Sequence, residues 1–317
     1  MWAAVYYAFG GPEVLRVEKR PRPTVSRGHV LVRVRASGVN PRDAVVRSGA
    51  YRHLMTEQFP KGTGADFAGE VAQVGPGVRD LAVGDAVYGY VESLESSTAA
   101  QLISVPAKAV ALKPITLSQA QAASMPCAYL TALQALRDKA RLRAGQRLLV
   151  YGASGGVGTA AVQLANYLEA HVVAVSSARN REHCMYNGAN ETIAYDAGPD
   201  VFEGEPRYDV VFQVARPELD LYPKAARVLV RGGVFVSLNP DPSLELRGWL
   251  RWVTEGRRFT TLAVEGRRAD LEYIAALADR AILRPRIEAT LPLENVREAH
   301  RRVAGRHVRG KLVLNVA

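Results

Sequence analysis

The sequence predicts an α/β protein in which a doubly wound parallel sheet is inserted into a β-rich domain. Strand and helix patterns alternate from Leu148 to Leu238, which is typical of a parallel sheet with helices on both faces. A glycine-rich turn from Tyr151 to Gly158 lies between the first of these strands and an amphipathic helix. The residues before it favour strands, and the tail after Leu262 returns to mixed strands and helices.

Length and composition fit two folded domains. The chain has 317 residues, of which 48% are hydrophobic and 23% charged, so it can bury ample core. We expect one domain over residues 1–117 and 265–317, and the other over residues 118–264. No apolar segment is long enough to span a bilayer, and the first residues resemble a strand rather than a signal peptide. We therefore expect no membrane partner.

Charge and cysteine content indicate which binding partners and which cellular compartment to expect. The net charge of +10 is compatible with an anionic ligand or a nucleic acid. The basic residues that become denser after Arg247 are not interleaved with stacking aromatics, so nucleic acid is not the expected main partner. The two cysteines, Cys127 and Cys184, lie far apart and form no disulfide framework, which favours a cytoplasmic protein.

The glycine turn predicts a dinucleotide site. Written as G-x-G-x-x-G, the match has alanine in its first place, at Ala153, and its flanks are a strand and a helix. Backbone N–H groups in such a turn approach a pyrophosphate at a helix N-terminus. The residues expected to hold the cofactor here are Ser154, Gly155, Gly156, Val157 and Gly158.

The residues after the next strand indicate which cofactor binds. An NAD site places Asp or Glu about 20 residues past the turn, to hold the ribose hydroxyl. This sequence instead has Ser176, Ser177 and Arg179 in that place. Hydroxyls and a guanidinium bind a 2′-phosphate that a carboxylate would repel, so we expect NADPH. The alternative is that Arg179 only opens the next helix as a solvated residue.

Several segments together resemble the zinc-free quinone oxidoreductase branch (zeta-crystallin-like) of the medium-chain dehydrogenase/reductase superfamily. The resemblance covers nearly the whole chain and is strongest at residues 38–43, 47–51, 64–71 and 126–132, in the glycine turn, and at Gly310-Lys311. It implies a GroES-like substrate domain, a Rossmann domain that binds NADPH, and an active-site cleft between them. The sequence departs from the family at Gln213, commonly aspartate, and at Val45, where zeta-crystallins carry tyrosine.

The resemblance also assigns roles to individual residues. It implies that Asn40, Tyr51 and Thr131 are catalytic, with Tyr51 bonding the acceptor's oxygen or relaying a proton. Further cofactor contacts are implied for Tyr195, Leu238 and Lys311. The alternatives are structural: a capping asparagine, a half-buried tyrosine at position 51, a surface aromatic at 195 and an edge-strand charge at 311.

A zinc site is not expected. Alcohol dehydrogenases of the superfamily carry Cys or His ligands at the positions matched by Asn40 and Ala65, and Cys127 has no partner ligands in the sequence. Without a metal, the acceptor must itself be electrophilic, as quinones and α,β-unsaturated carbonyl compounds are. We therefore expect an NADPH-dependent oxidoreductase that transfers hydride to such small molecules.

Two other functions remain open. The residues from Gly152 to Gly156 also spell G-x-S-x-G, the nucleophile elbow of a serine hydrolase, with Ser154 as nucleophile and Asp209 and His300 as partners. That interpretation leaves Gly158 unexplained. The second is a non-enzymatic NADPH-binding protein, because a fold does not fix a function.

The last strand of the nucleotide domain predicts assembly. The segment from Phe259 to Val264 is apolar and β-branched, so a free edge there would invite pairing. By resemblance, we expect a homodimer with a sheet that continues across a two-fold axis.

Overall fold

A computed structural model describes residues 1–198, 200–215, 219–238 and 242–316. It divides into two compact units, one formed by Met1–Leu130 with Glu265–Ala317 and the other by Thr131–Val264. The expected limit between residues 117 and 118 differs from the first of these boundaries, and the limit between residues 264 and 265 coincides with the second. The difference arises because the residues up to Leu130 pack with the first unit.

Within the described residues the strands are β1 (Trp2–Tyr6), β2 (Leu15–Lys19), β3 (His29–Val39), β4 (Lys61–Gly62), β5 (Asp66–Val74), β6 (Ala86–Tyr90), β7 (Leu102–Pro106), β8 (Val110–Leu112), β9 (Arg147–Tyr151), β10 (His171–Ser176), β11 (Glu191–Ala194), β12 (Tyr208–Gln213), β13 (Leu229–Ser237), β14 (Arg258–Thr261), β15 (Ile287–Pro292) and β16 (Lys311–Asn315). The α-helices are α1 (Pro41–Arg47), α2 (Gln119–Ala123), α3 (Pro126–Leu133), α4 (Gly156–Tyr167), α5 (Arg181–Tyr186), α6 (Tyr222–Val228), α7 (Pro242–Glu255), α8 (Arg268–Asp279) and α9 (Val296–Ala304). A π-helix, Gln134–Ala140, continues α3.

The first unit is built on a seven-stranded sheet with the order β15-β16-β3-β5-β6-β8, in which β7 also pairs with β3. A smaller sheet has the order β2-β1-β4. The C-terminal strand β16 pairs antiparallel with β3, with Leu312 opposite Val39. This register brings Lys311, the first residue of β16, beside Asn40, the residue that follows β3.

Strand β3 contributes to the core of this unit. Val30, Leu31, Val32 and Val34 are buried, and Arg33 is exposed. The valines pack against buried apolar residues of α9 such as Val296. Asn40 and Lys311, at the ends of β3 and β16, therefore lie beside a well-packed sheet.

The second unit contains a six-stranded parallel sheet with the order β11-β10-β9-β12-β13-β14. The strand order reverses beside β9, as in a Rossmann fold, and the carboxyl ends of β9 and β12 border that point. Its core includes a stacked aromatic pair, Phe235 and Phe259, with ring centroids 5.5 Å apart. The predicted doubly wound sheet and β-rich domain are thus confirmed.

The second unit leaves an edge and a helix face open. Strand β14 pairs with β13 on one side and is the last strand of the sheet. Helix α7 packs next to it through Gly248 and Phe259. Large apolar side chains of α7 are exposed: Leu246, Trp249, Leu250, Trp252 and Val253. In the part of the chain that is described, no helix is both long enough and apolar enough to cross a membrane.

Candidate active site

The glycine turn joins β9 to α4 in the second unit. Gly152 has a φ of +96°, and a Cβ placed there would lie 2.5 Å from the Cβ of Ala215. A Cβ on Gly158 would lie 2.2 Å from the carbonyl oxygen of Gly152. Both contacts are closer than real atoms approach, so the packing of the turn itself requires glycine at these two positions.

Gly155 has a different environment, and this difference fits a ligand. Its backbone is extended, with φ −77° and ψ 177°, and it forms the N-cap of α4. A Cβ there would have only the carbonyl oxygen of Gly152 within 4 Å, at 3.9 Å. The fold therefore leaves open space at the N-terminus of a twelve-residue helix. Backbone N–H groups at such an end are suited to a pyrophosphate, so these residues fit the cofactor that the sequence predicts.

The two serines at the end of β10 have different surroundings. Ser176 is 3% exposed; its hydroxyl donates to the carbonyl oxygen of Ser177 at 3.1 Å and accepts from the thiol of Cys184. The hydroxyl oxygen of Ser177 instead accepts a hydrogen bond from the side-chain amide of Asn180 at 3.1 Å. Within the structure, the hydroxyl of Ser176 is thus committed to internal contacts.

Other predicted cofactor residues surround the same strand end. Arg179 is exposed in a short 3₁₀ turn, Ala178–Asn180. Tyr195 follows β11, is 58% exposed, and donates its backbone N–H to the carbonyl oxygen of Ser176 at 3.1 Å. One carboxylate is also present, because Asp196 accepts from the backbone N–H of Ala178 at 2.8 Å.

Two residues lie at the ends of the other central strands. Gln213, where the family commonly has aspartate, is 1% exposed at the end of β12. Its side-chain amide donates to the carbonyl oxygen of Leu219 at 2.9 Å. Leu238 is half-buried directly after β13.

A buried polar cluster lies in the first unit, around the carboxylate of Asp66. Asp66 is 0% exposed. Its Oδ2 accepts from the side-chain amide of Asn40 at 3.0 Å and from the ammonium of Lys311 at 3.1 Å. Its Oδ1 accepts from the backbone N–H of Cys127 at 2.7 Å. Lys311 also donates to Oδ1 of Asn40, so these three side chains form a closed triangle, which we call the Asp66 cluster.

Chain geometry explains how the Asp66 cluster assembles. The β3–β16 register sets Lys311 beside Asn40, and Asp66 is the first residue of the neighbouring strand β5. Gly38 makes room for it, because a Cβ at that position would lie 2.9 Å from Oδ2 of Asp66. Asn40 is also the N-cap of α1, and its backbone N–H donates to the carboxylate of Asp43 at 2.8 Å.

Burial controls the titration of the groups next to the Asp66 cluster. It raises the pKa of the Asp43 carboxyl to about 6, although the hydrogen bond from Asn40 acts in the opposite direction. Burial also raises the pKa of the Cys127 thiol to about 12, and the neighbouring Asp66 adds to this effect. The thiol is therefore neutral at physiological pH and is not a nucleophile.

The structure joins one of the three predicted catalytic residues to a predicted cofactor contact. Asn40 and Lys311 are joined through Asp66, which sequence reasoning missed. Tyr51 lies half-buried at the start of a 3₁₀ turn, and within the described residues no hydrogen bond links its hydroxyl to the Asp66 cluster. Thr131 is buried in α3. A carboxylate directly before the apolar residues Phe67 and Ala68, as in Asp66, is the signal that could have indicated a buried partner.

Comparison with known proteins decides the family. Residues 26–115 match the family model described as alcohol dehydrogenase GroES-like domain, and residues 187–314 match the one described as zinc-binding dehydrogenase. The chain is 30% identical to the chloroplast envelope quinone oxidoreductase homolog of Arabidopsis thaliana, over 99% of this chain and 98% of the relative. The chain belongs to the zinc-free quinone oxidoreductase branch of the medium-chain dehydrogenase/reductase superfamily.

Two further similarities agree with membership of this branch. The chain is 35% identical to the NADPH-dependent alkenal/one oxidoreductase of Arabidopsis thaliana chloroplasts, over 75% of this chain and 62% of the relative. The chain is also 30% identical in sequence to the quinone oxidoreductase from Coxiella burnetii. The two structures superpose with a TM-score of 0.92 over 100% of this chain and 99% of that chain. The protein is thus an oxidoreductase with a fold that binds pyridine nucleotides.

The metal-ligand chemistry of the zinc-dependent relatives is not matched by the residues that the structure describes. Among them, no group of three or more His, Cys, Asp or Glu side chains is placed to hold a metal ion. The position of Asn40 carries an amide bonded to an ammonium, and Ala65 carries a methyl group.

The hydrolase interpretation does not fit the second unit. The carboxylate of Asp209 accepts from the backbone N–H of Arg147, at the start of β9. Ser154 follows the opposite end of that strand, so these two nominated members of a triad are separated by its whole length. His300 is buried in the first unit, and burial lowers its pKa to about 3.

Proposed function

We propose that this oxidoreductase uses NADPH to reduce quinones or α,β-unsaturated carbonyl compounds, without a metal. The observation that carries the proposal is the Asp66 cluster. It presents an amide and a buried ammonium at a position where zinc-dependent relatives carry a metal ligand. The relatives described above, named for quinone and for alkenal/one reduction, support these two substrate classes.

The second unit supplies the cofactor site in this proposal. NADPH, when bound, supplies the hydride. The backbone N–H groups of Ser154–Gly158 hold the pyrophosphate at the start of α4, where Gly155 leaves open space. Ser177 and Arg179 bind the 2′-phosphate and Tyr195 contacts the adenosine side, whereas Ser176 shapes the loop from within. Leu238 follows β13 and supplies an apolar wall for the cofactor.

The first unit supplies the donors for the acceptor's oxygen. Negative charge builds on that oxygen as hydride adds to the conjugated carbon, and fixed donors stabilise it. One amide hydrogen of Asn40 goes to Asp66, and we assign the second to this oxygen. Lys311 donates to Oδ1 of the same amide, which polarises it and strengthens its N–H donors. We therefore propose that Lys311 acts through Asn40 rather than on the cofactor directly.

Reduction also consumes a proton. Hydride and one proton convert a quinone to a hydroquinone, or an enone to a saturated ketone, while NADPH becomes NADP⁺. Tyr51 is our candidate to bond the oxygen or relay this proton, because its half-buried hydroxyl keeps access to water. Thr131 is proposed to lie beside the nicotinamide.

The deciding experiment is an acceptor panel of quinones, enones, enals and simple alcohols, followed by loss or gain of NADPH absorbance. Quinones or enones should be reduced, and ethanol and propanol should be oxidised slowly. Metal analysis should find no stoichiometric zinc, and chelators should leave turnover intact. Fast alcohol oxidation by metal-free protein would overturn the reaction class. Tight NADPH binding without turnover of any acceptor would favour the non-enzymatic alternative.

Two further features extend the proposal to assembly and compartment. The open edge of β14, together with the exposed face of α7, supports a homodimer formed through this side of the second unit. Cys127 and Cys184 are both buried thiols, which supports a reducing compartment such as the cytoplasm.

A further inference from the structure

One side chain links the two loops of the proposed cofactor site. Asn180 closes the 3₁₀ turn after β10 and is 9% exposed. Its Nδ2 donates to the hydroxyl oxygen of Ser154 at 3.1 Å and to that of Ser177 at 3.1 Å. Ser154 belongs to the glycine turn after β9, and Ser177 follows β10, so a single amide connects the carboxyl ends of two adjacent strands.

The chemistry of this contact fixes the polarity of both hydroxyl groups. A carboxamide nitrogen carries two hydrogens and accepts nothing, and here each hydrogen goes to a different serine. Both serine oxygens are therefore acceptors toward Asn180, and each keeps its own O–H hydrogen for another group. Together with the exposed Arg179, two residues after Ser177, these two hydroxyl donors match an anion.

Neighbouring groups show that this polarity is specific to these two serines. The hydroxyl of Ser176 donates to the carbonyl oxygen of Ser177, so its hydrogen is already used. The carboxylate of Asp196 accepts from the backbone N–H of Ala178. A carboxylate at position 180 would instead accept both serine hydrogens and add a negative charge.

We propose that Asn180 is a positioning residue that determines selectivity for the phosphorylated cofactor. It turns the O–H of Ser177 toward the 2′-phosphate of NADPH and the O–H of Ser154 toward the pyrophosphate. The proposal rests on the proposed function, which assigns NADPH to this unit. It adds a residue that acts through the two serines rather than on the cofactor.

Two variants of similar size separate orientation from charge. Asn180→Leu removes both hydrogen bonds and adds no charge, whereas Asn180→Asp reverses the polarity of the hydroxyls and adds a negative charge. Calorimetric titration with NADPH and NADH gives the ratio of the two dissociation constants without any turnover. Asn315→Asp, on an exposed strand end in the first unit, is the control for the added charge.

We expect the preference for NADPH to fall several-fold in Asn180→Leu and by about tenfold or more in Asn180→Asp, as for loss of a charge-assisted hydrogen bond. The Asn315→Asp control should keep the wild-type ratio. Each protein is first checked for folding by circular dichroism.

The outcomes distinguish failure of the proposed cofactor from failure of the proposed role of Asn180. Wild-type protein without a preference for NADPH would refute the proposed cofactor. A wild-type preference that survives in both variants would refute the role of Asn180 alone. Loss of preference in Asn180→Asp with none in Asn180→Leu would mean that charge acts without orientation, and this also refutes the positioning role.

Discussion

Replacing Lys311 by Met tests the Asp66 cluster most directly. The change removes the ammonium and leaves the fully buried carboxylate of Asp66 without its counter-ion. Two unit charges 3.1 Å apart attract each other by about 5 kcal/mol at an effective dielectric constant of about 20. Breaking a buried pair from one side typically costs about 3–5 kcal/mol, so we expect unfolding of the first unit to become easier by that amount.

The double variant shows whether the two charges act on each other. Asp66→Asn keeps the shape of the side chain but leaves the ammonium of Lys311 buried and unpaired. Combining it with Lys311→Met removes both charges, so the double variant should be more stable than the sum of the single losses allows. We expect an interaction energy of about 2–3 kcal/mol, the upper part of the range for contacting residues.

Tryptophan fluorescence in urea provides the assay. Trp2 belongs to the first unit, whereas Trp249 and Trp252 belong to the second and can be replaced by Phe. The remaining signal then reports the unfolding of the unit that contains the cluster.

An exposed ion pair in the same sheet is the matched control. Arg35 and Glu70 lie 3.2 Å apart, with side chains 37% and 40% exposed. Arg35→Met should therefore cost less than about 1 kcal/mol. If Lys311→Met costs no more than Arg35→Met, or if the double variant loses the full sum, the buried pair does not hold the cluster together.

Three further predictions concern the turn, a buried acid and assembly. Gly155→Ala should melt like wild type but bind NADPH about tenfold more weakly, whereas Gly158→Ala should melt at a lower temperature because its Cβ would meet the carbonyl oxygen of Gly152 at 2.2 Å; equal effects in both measurements would contradict the distinction. Because folding raises the pKa of Asp43 from 3.8 to about 6, the free energy of unfolding should fall by up to about 3 kcal/mol as pH rises through that range. Urea midpoints measured across this range should show the fall in the wild type, and Asp43→Asn should reduce it. Light scattering should give the mass of a dimer for the wild type and of a monomer for Thr260→Pro. A wild-type protein that is monomeric at micromolar concentration would refute the dimer.

Much of the second unit could be predicted because its signals are local. The strand expected over Leu148–Tyr151 is β9, Arg147–Tyr151, and the one expected to end at Ser176 is β10. Helix α4 begins at Gly156 rather than Thr159, because the turn's last glycines adopt the first helical positions. The sequence patterns do not predict helix α7, Pro242–Glu255, in which Leu246, Trp249, Leu250, Trp252 and Val253 are exposed.

The candidate site could be predicted only in pieces. Resemblance pointed to Asn40 and Lys311 separately, but Asp66, which joins them, lies 26 and 245 residues away from them in the sequence. Nothing local in one sequence specifies contacts over such separations, because they depend on the pairing of β16 with β3. The role of Asn180 was missed for a related reason: the geometry of two loops decides which hydroxyl each amide hydrogen reaches.

The Asp66 cluster and the contacts of Asn180 with Ser154 and Ser177 share one feature. In each, neighbouring side chains set the hydrogen bonds of a carboxamide: Asp66 and Lys311 for Asn40, and two serines for Asn180. Carboxamides do not themselves titrate, so each asparagine keeps its own N–H donors at any pH. At position 180 a substitution to aspartate should be more harmful than one to leucine, because it reverses the polarity of both bonds as well as removing a donor.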